Sequence, residues 1–201
     1  MSSNAVLQSY HIQQHQIALF VPVTLSSSTH VHAPYWAKVW PAAIGLCYFL
    51  QDHLYYIHKK KVKEIAAGLG LPSIFTASHA DQVYCSDIEP AAMQLVQQSV
   101  QYNQLTNVHC AVVNWNTYTD TIIPDTVLLS DVNYEPDQFD QLFSVISFYI
   151  KNNCTVILSS PQRLMAKPFI ELVLPFCSTR DEVLVHENDC ITAVSIFVLH
   201  L

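Results

Sequence analysis

The chain has 201 residues, 51% of them apolar and 12% charged, which fits one folded domain with a sizeable core and excludes a disordered polymer. Its net charge of −7 has the wrong sign for a surface that grips phosphate polymers, so no nucleic acid partner is expected. Six scattered cysteines (Cys47, Cys85, Cys110, Cys154, Cys177, Cys190) lack the spacing of a zinc site or redox dithiol and read as reduced, buried thiols of a cytoplasmic protein.

The chain start, Met1 to Tyr10, lacks the basic run of a secretory signal, and the apolar stretch Ile17 to Val23 is too short to cross a bilayer and contains Pro22. No membrane anchor is expected. The lead-in over residues 1–33 has a mixed apolar segment, Ile17 to Leu25, followed by the polar cluster Ser26 to Thr29, which reads as a loop. From Trp40 a proline-initiated run, Pro41 to Leu50, is apolar almost all round and predicts a helix covered on several sides. Lys59, Lys60 and Lys61 read as a solvated strand entry. Lys61 to Ile65 predicts a strand, Leu71 to Ser78 a helix and Gln82 to Ile88 a second strand.

The next helix opens at Pro90, with Met93, Val96 and Val100 on one face and Gln94, Gln97, Gln98 and Gln101 opposite. Val108 to Val113 and Thr126 to Asp131 are further strands, and Phe139, Leu142, Phe143 and Ile146 mark an amphipathic helix. A fifth strand at Thr155 to Ser159 and a helix closing over Phe169 to Leu174 follow. Repeated strand-helix-strand units favour one open α/β sheet. Two final apolar runs, Glu182 to His186 and Ile191 to Leu199, separated by Asn188 and Asp189, predict a terminal antiparallel hairpin.

Glycine is scarce, with three in the chain (Gly45, Gly68, Gly70) where ordinary usage gives roughly fourteen. Gly68 and Gly70 fall in Glu64-Ile65-Ala66-Ala67-Gly68-Leu69-Gly70, between a strand end and a helix start, where backbone turns tightly and a ligand approaches closely. Asp87, at the end of the next strand, stands where an acidic side chain reaches paired ribose hydroxyls. Together they point to nucleoside binding. The acidic Glu64 beside the turn disfavours a pyrophosphate and suits an ammonium, so S-adenosylmethionine fits better than a dinucleotide. Histidines such as His30 and His32 show no ligand spacing, and no metal is expected.

Three motifs, Pro34-Tyr35-Trp36-Ala37-Lys38-Val39-Trp40-Pro41, the glycine loop Glu64 to Pro72, and Asp131-Val132-Asn133-Tyr134, resemble those of the class I methyltransferases, within them methyltransferase family 16, which includes protein lysine methyltransferases. The turn Ser159-Ser160-Pro161-Gln162-Arg163 is similar to a Pro-x-Arg turn in the same group. The resemblance spans roughly Pro34 to Arg163. It implies a Rossmann-like seven-stranded sheet with helices on both faces, residues 34–201 forming the core and residues 1–33 an extension of a single domain.

By the same resemblance, Glu64, Ala66 and Gly68 would line the methionine end of the cofactor, Asp87 would hold the ribose and Ile88 the adenine, flanked by Asn114 and Trp115. Trp40 would border the cofactor, and Asp131 and Tyr134 would face the methyl group and the incoming amine. Two residues depart from the family pattern: Ala66 replaces a glycine, a substitution that a negative φ would accommodate, and Leu69 replaces a small polar residue. The activity implied is N-methylation of a lysine on a protein substrate. Methylation of a small-molecule amine or hydroxyl, and an inactive binding module on the same fold, are the alternatives.

Overall fold

A computed structural model describes residues 5–23, 34–115, 122–187 and 189–201. Strands β1 (Ala5–Ile12) and β2 (His15–Pro22) come first, then α1 (Pro41–Asp52), β3 (Lys61–Ile65), α2 (Leu71–Ala77), β4 (Gln82–Asp87), α3 (Pro90–Tyr102) and β5 (Val108–Val112). They are followed by β6 (Thr126–Ser130), α4 (Phe139–Lys151), β7 (Thr155–Pro161), α5 (Lys167–Val173), β8 (Cys177–Glu187) and β9 (Cys190–Leu199). Seven strands form one sheet in the order β5-β4-β3-β6-β7-β9-β8. The five from β5 to β7 are parallel, and β9 runs antiparallel between β7 and β8.

Crossover helices cover both faces. One buried cluster unites α1, α2 and α3 with Val62, Val83 and Leu128, and the other unites α4 and α5 with Val127, Leu129 and Val156. Strand order reverses between β3 and β6, so a crevice opens beyond their carboxyl ends. Helix α1 is buried almost all round, and a Cβ on Gly45 would lie 3.1 Å from Val194 on β9. That approach is tighter than an ordinary Cβ contact, and glycine makes it without displacing Val194.

The terminal hairpin forms as its two apolar runs predict, but β8 begins at Cys177 rather than Glu182. Of the added residues, Ser178 to Asp181 are polar and exposed because β8 is a sheet edge, so no apolar alternation announces them. Asn188 lies outside the described residues. Three cysteines depart from the expectation of burial: Cys110 and Cys177, on edge strands, are half-buried and Cys190 is exposed, while all six thiols are free.

The lead-in is more ordered than its sequence indicates. Strands β1 and β2 form a hairpin in register from Ala5 opposite Pro22 to Ile12 opposite His15. Ile17, Leu19 and Val21 are buried against the helices. Phe20 N–H donates to Ser99 Oγ at 2.9 Å and Asn103 Nδ2 donates to the Ala18 carbonyl at 2.6 Å, fixing β2 to α3. The turn between the strands is Gln13-Gln14, with Gln13 at φ 50°, so it lacks the Gly or Asn that normally signals a hairpin. Ser26 to Thr29, read as a loop, and the histidines His30 and His32 lie outside the described residues. No helix among the described residues is long and apolar enough to cross a membrane.

Candidate functional site

Beyond Ile65 the chain turns through Ala66, Gly68 and Gly70, all left-handed, at φ 54°, 53° and 69°. Ala67 N–H donates to the Ser86 carbonyl at 3.0 Å and Gly70 N–H to the Ala67 carbonyl at 2.8 Å, delivering the backbone into α2. A Cβ on Gly68 would lie 3.4 Å from the Trp36 carbonyl oxygen, because the turn Tyr35–Ala37 rests over the loop. The expectation of a negative φ at Ala66 is overturned. The loop keeps its left-handed course there at a cost of about 1–2 kcal/mol, which a glycine would not incur.

Glu64 also departs from expectation. It shares a face of β3 with Val62 and points toward α2, where its Oε2 accepts the Ser73 N–H at 2.8 Å and the Ser73 hydroxyl. Its side chain is fully buried and is not part of the cavity described below. Burial lifts its pKa to about 8, against the opposing Ser73 hydrogen bonds, so the group is largely uncharged at neutral pH. The electrostatic reason for placing an ammonium beside it therefore falls: the carboxyl is neutral and faces the helix.

At the end of β4, Asp87 Oδ2 accepts Gly68 N–H at 2.7 Å and Oδ1 accepts Glu89 N–H at 3.0 Å. The carboxyl group is thus locked between the glycine loop and the start of α3, with acceptor capacity left over. Ile88, the next residue, is 55% exposed, and Val113 N–H donates to the Asp87 carbonyl at 2.8 Å, bringing Asn114 and Trp115 alongside.

At the end of β6, Asp131 sits at φ 55° and its N–H donates to the Ser159 carbonyl at 2.9 Å. The Asp131 carboxylate is held in an ion pair. Arg163 grips it with both guanidinium nitrogens, Nη2 to Oδ2 at 2.9 Å and Nη1 to Oδ1. Such a fork balances the charge and fixes the orientation of the carboxylate. Asn133, two residues on, is fully buried with no hydrogen bond to its side-chain amide among the described residues. Tyr134 is half-buried, and burial, followed by nearby Glu135, pushes its pKa up, keeping it a phenol. Its ring lies 5.0 Å from that of Tyr35, which in turn lies 6.3 Å from Trp40. Trp40 Nε1 donates to the Tyr35 carbonyl at 2.7 Å, and Lys38 Nζ stands 4.9 Å above the Trp40 ring.

These ends enclose a cavity of about 460 Å³, within the size range of ligand pockets. Trp40, Ala66, Gly68, Asp87, Ile88, Asn114, Trp115, Asp131 and Tyr134 all line it, and Glu64 does not. Tyr35, Lys38, Glu135 and Gln138 line it as well, without having been singled out from sequence. Tyr35 and Lys38 lay inside the motif that ends in Trp40-Pro41, and that was their signal. Arg163 was visible only as part of a turn, and nothing marked Ser73.

The sequence profile of a family described as lysine methyltransferase matches residues 24–174. Histone-arginine methyltransferase METTL23 of Mus musculus is 31% identical over 61% of this chain and 51% of its own length. Protein-lysine methyltransferase METTL21E of Mus musculus is 29% identical over 65% of this chain and 58% of its own length. The chain spans about half the length of the curated relatives it matches. Among solved structures, the Thermus thermophilus 16S rRNA N2 G1207 methyltransferase RsmC, in complex with AdoMet and guanosine, superposes with a TM-score of 0.69 at 16% identity, over 99% of this chain and 51% of that one. At that identity the likeness is one of fold.

Proposed function

The chain belongs to the lysine methyltransferase family, and from that premise we propose that it is an S-adenosylmethionine-dependent N-methyltransferase acting on a lysine of a protein substrate. One observation carries this reading: a single cavity joins Asp87, at the end of β4, to Asp131 and Tyr134, at the end of β6, across a left-handed glycine loop. The residues present fit the cofactor. Asp87 keeps lone pairs for the ribose hydroxyls, Ile88 offers an exposed apolar surface to the adenine between Asn114 and Trp115, and Ala66, Gly68 and Trp40 border the methionine end. The bound cofactor supplies an activated methyl group on a sulfonium.

The protein's own work is alignment. An ordinary lysine has a pKa near 10.4, so the neutral amine costs about 4 kcal/mol to populate at pH 7.4. Asp131, charge-balanced by Arg163, is suited to orienting that amine rather than to removing its proton. Tyr134 adds a hydrogen-bonding phenol beside it. The rings of Tyr35, Trp40 and Tyr134 offer π faces to a cation. Free thiols fit a reducing compartment, and we assign the protein to the cytoplasm.

Calorimetry with S-adenosylhomocysteine tests the cofactor half of the proposal, with binding expected and absence of heat refuting it. Isotope-labelled S-adenosylmethionine added to a lysate tests the acceptor half by mass spectrometry. Label on protein lysine supports it; label only on protein arginine, the acceptor class in the METTL23 name, or only on metabolites, overturns it.

A further inference from the structure

We propose that Lys38 is itself a methyl acceptor, an intramolecular modification site at the cavity. This inference rests on the methyltransferase reading of that cavity. The described residues include every lysine of the chain, and among them Lys38 alone lines the cavity. Lys59, Lys60 and Lys61 stand at the opposite end of β3, where the strand begins. Lys63 is buried and lies near the Tyr149 ring, and Lys151 and Lys167 belong to α4 and α5.

The position of Lys38 is fixed from both sides in the sequence. Before it, the turn Tyr35–Ala37 rests on Gly68; after it, Trp40 stands at the N-terminal cap of α1. The Lys38 Nζ stands 4.9 Å from the centre of the Trp40 ring, and that ring is anchored by its hydrogen bond to the Tyr35 carbonyl. Tyr35 brings in Tyr134, ring to ring at 5.0 Å, and Tyr134 shares its segment with Asp131. The structure therefore already holds the Lys38 ammonium against the Trp40 face, which Tyr35 links to Tyr134. Electrostatic attraction to the ring quadrupole keeps it there, and tethering replaces a second-order encounter with an intramolecular one.

The step balances simply. The ammonium of Lys38 loses a proton to solvent, and the lone pair of the resulting amine forms an N–C bond to the methyl carbon of S-adenosylmethionine. The C–S bond breaks with its electron pair going to sulfur, leaving S-adenosylhomocysteine and a methylammonium on Lys38. The product retains its positive charge and hence its attraction to Trp40.

The test uses the full chain with methyl-deuterated S-adenosylmethionine, read by peptide mapping, with S-adenosylhomocysteine calorimetry on the same preparation. The expected result is label at Lys38, accumulating with a rate constant unchanged over a tenfold range of protein concentration, and no label on the chain in Lys38→Arg. Unlabelled Lys38 in a preparation that binds S-adenosylhomocysteine overturns this inference and leaves the cofactor reading standing. Label at another lysine instead, or a rate constant rising in proportion to protein concentration, overturns it too. Failure of S-adenosylhomocysteine to bind overturns the cofactor reading and this inference with it.

Discussion

Replacing Glu64 by Gln should remove a pH dependence of stability that the wild-type chain carries. The carboxyl group is fully buried, and its pKa rises from 4.5 to about 8 on folding. A raised folded-state pKa means that the folded chain binds the proton more tightly, so the stabilisation is complete below about pH 4.5 and is lost as pH rises through about 8. Between pH 5.5 and 8.5 the linkage amounts to about 3 kcal/mol, or roughly 6–12 °C in Tm for a chain of this size. Glutamine is a near-neutral substitute for the protonated acid. Both Ser73 hydrogen bonds reach the single oxygen Oε2, which an amide carbonyl replaces, and the other oxygen has no partner to lose. Thermal denaturation of both proteins at several pH values measures the difference, and subtraction cancels the titration of groups they share. A difference that stays constant from pH 5.5 to 8.5 would refute the burial argument.

Three further outcomes follow from the geometry. Ala66→Gly relieves a left-handed alanine worth about 1–2 kcal/mol and gives back about 0.4–1 kcal/mol through the unfolded chain, so Tm should hold or rise by up to a few degrees; a lower Tm contradicts the strain. Asp131→Ala should abolish methyl transfer while S-adenosylhomocysteine still binds in calorimetry, and undiminished turnover removes Asp131 from the reaction. Arg163→Ala leaves the buried Asp131 carboxylate without its fork and should lower kcat more than cofactor affinity, with Arg163→Lys restoring only part because a point charge cannot form two parallel bonds. Full activity in Arg163→Ala would show that the fork is not needed.

The parallel strands and their helices were legible because buried strands read as short apolar runs and α3 keeps its glutamines on one side. Legibility fails where those signals fade. The hairpin β1–β2 turns on two glutamines, and the outer part of β8 is polar because one of its edges faces solvent. At the site, the motifs located which residues gather at the sheet's carboxyl edge but not which way each points. Glu64 precedes Ile65 by one position, and strand alternation sends the two side chains to opposite faces, so the glutamate goes under α2 while the loop begins one residue later. The Asp131–Arg163 fork joins residues 32 positions apart, a contact that only the pairing of β6 with β7 creates.

Gly45 gives the sheet's far side a hold on the entrance. With no side chain there, α1 sinks against Val194, and the depth of that seat determines where its first turn, and therefore Trp40 and the chain before it, comes to rest. A methyl group there would need Val194 or the helix to give by a few tenths of an ångström, two residues from Ala43, which lines the cavity. The seat of α1 on β9 is thus coupled through the helix backbone to one wall of the cavity.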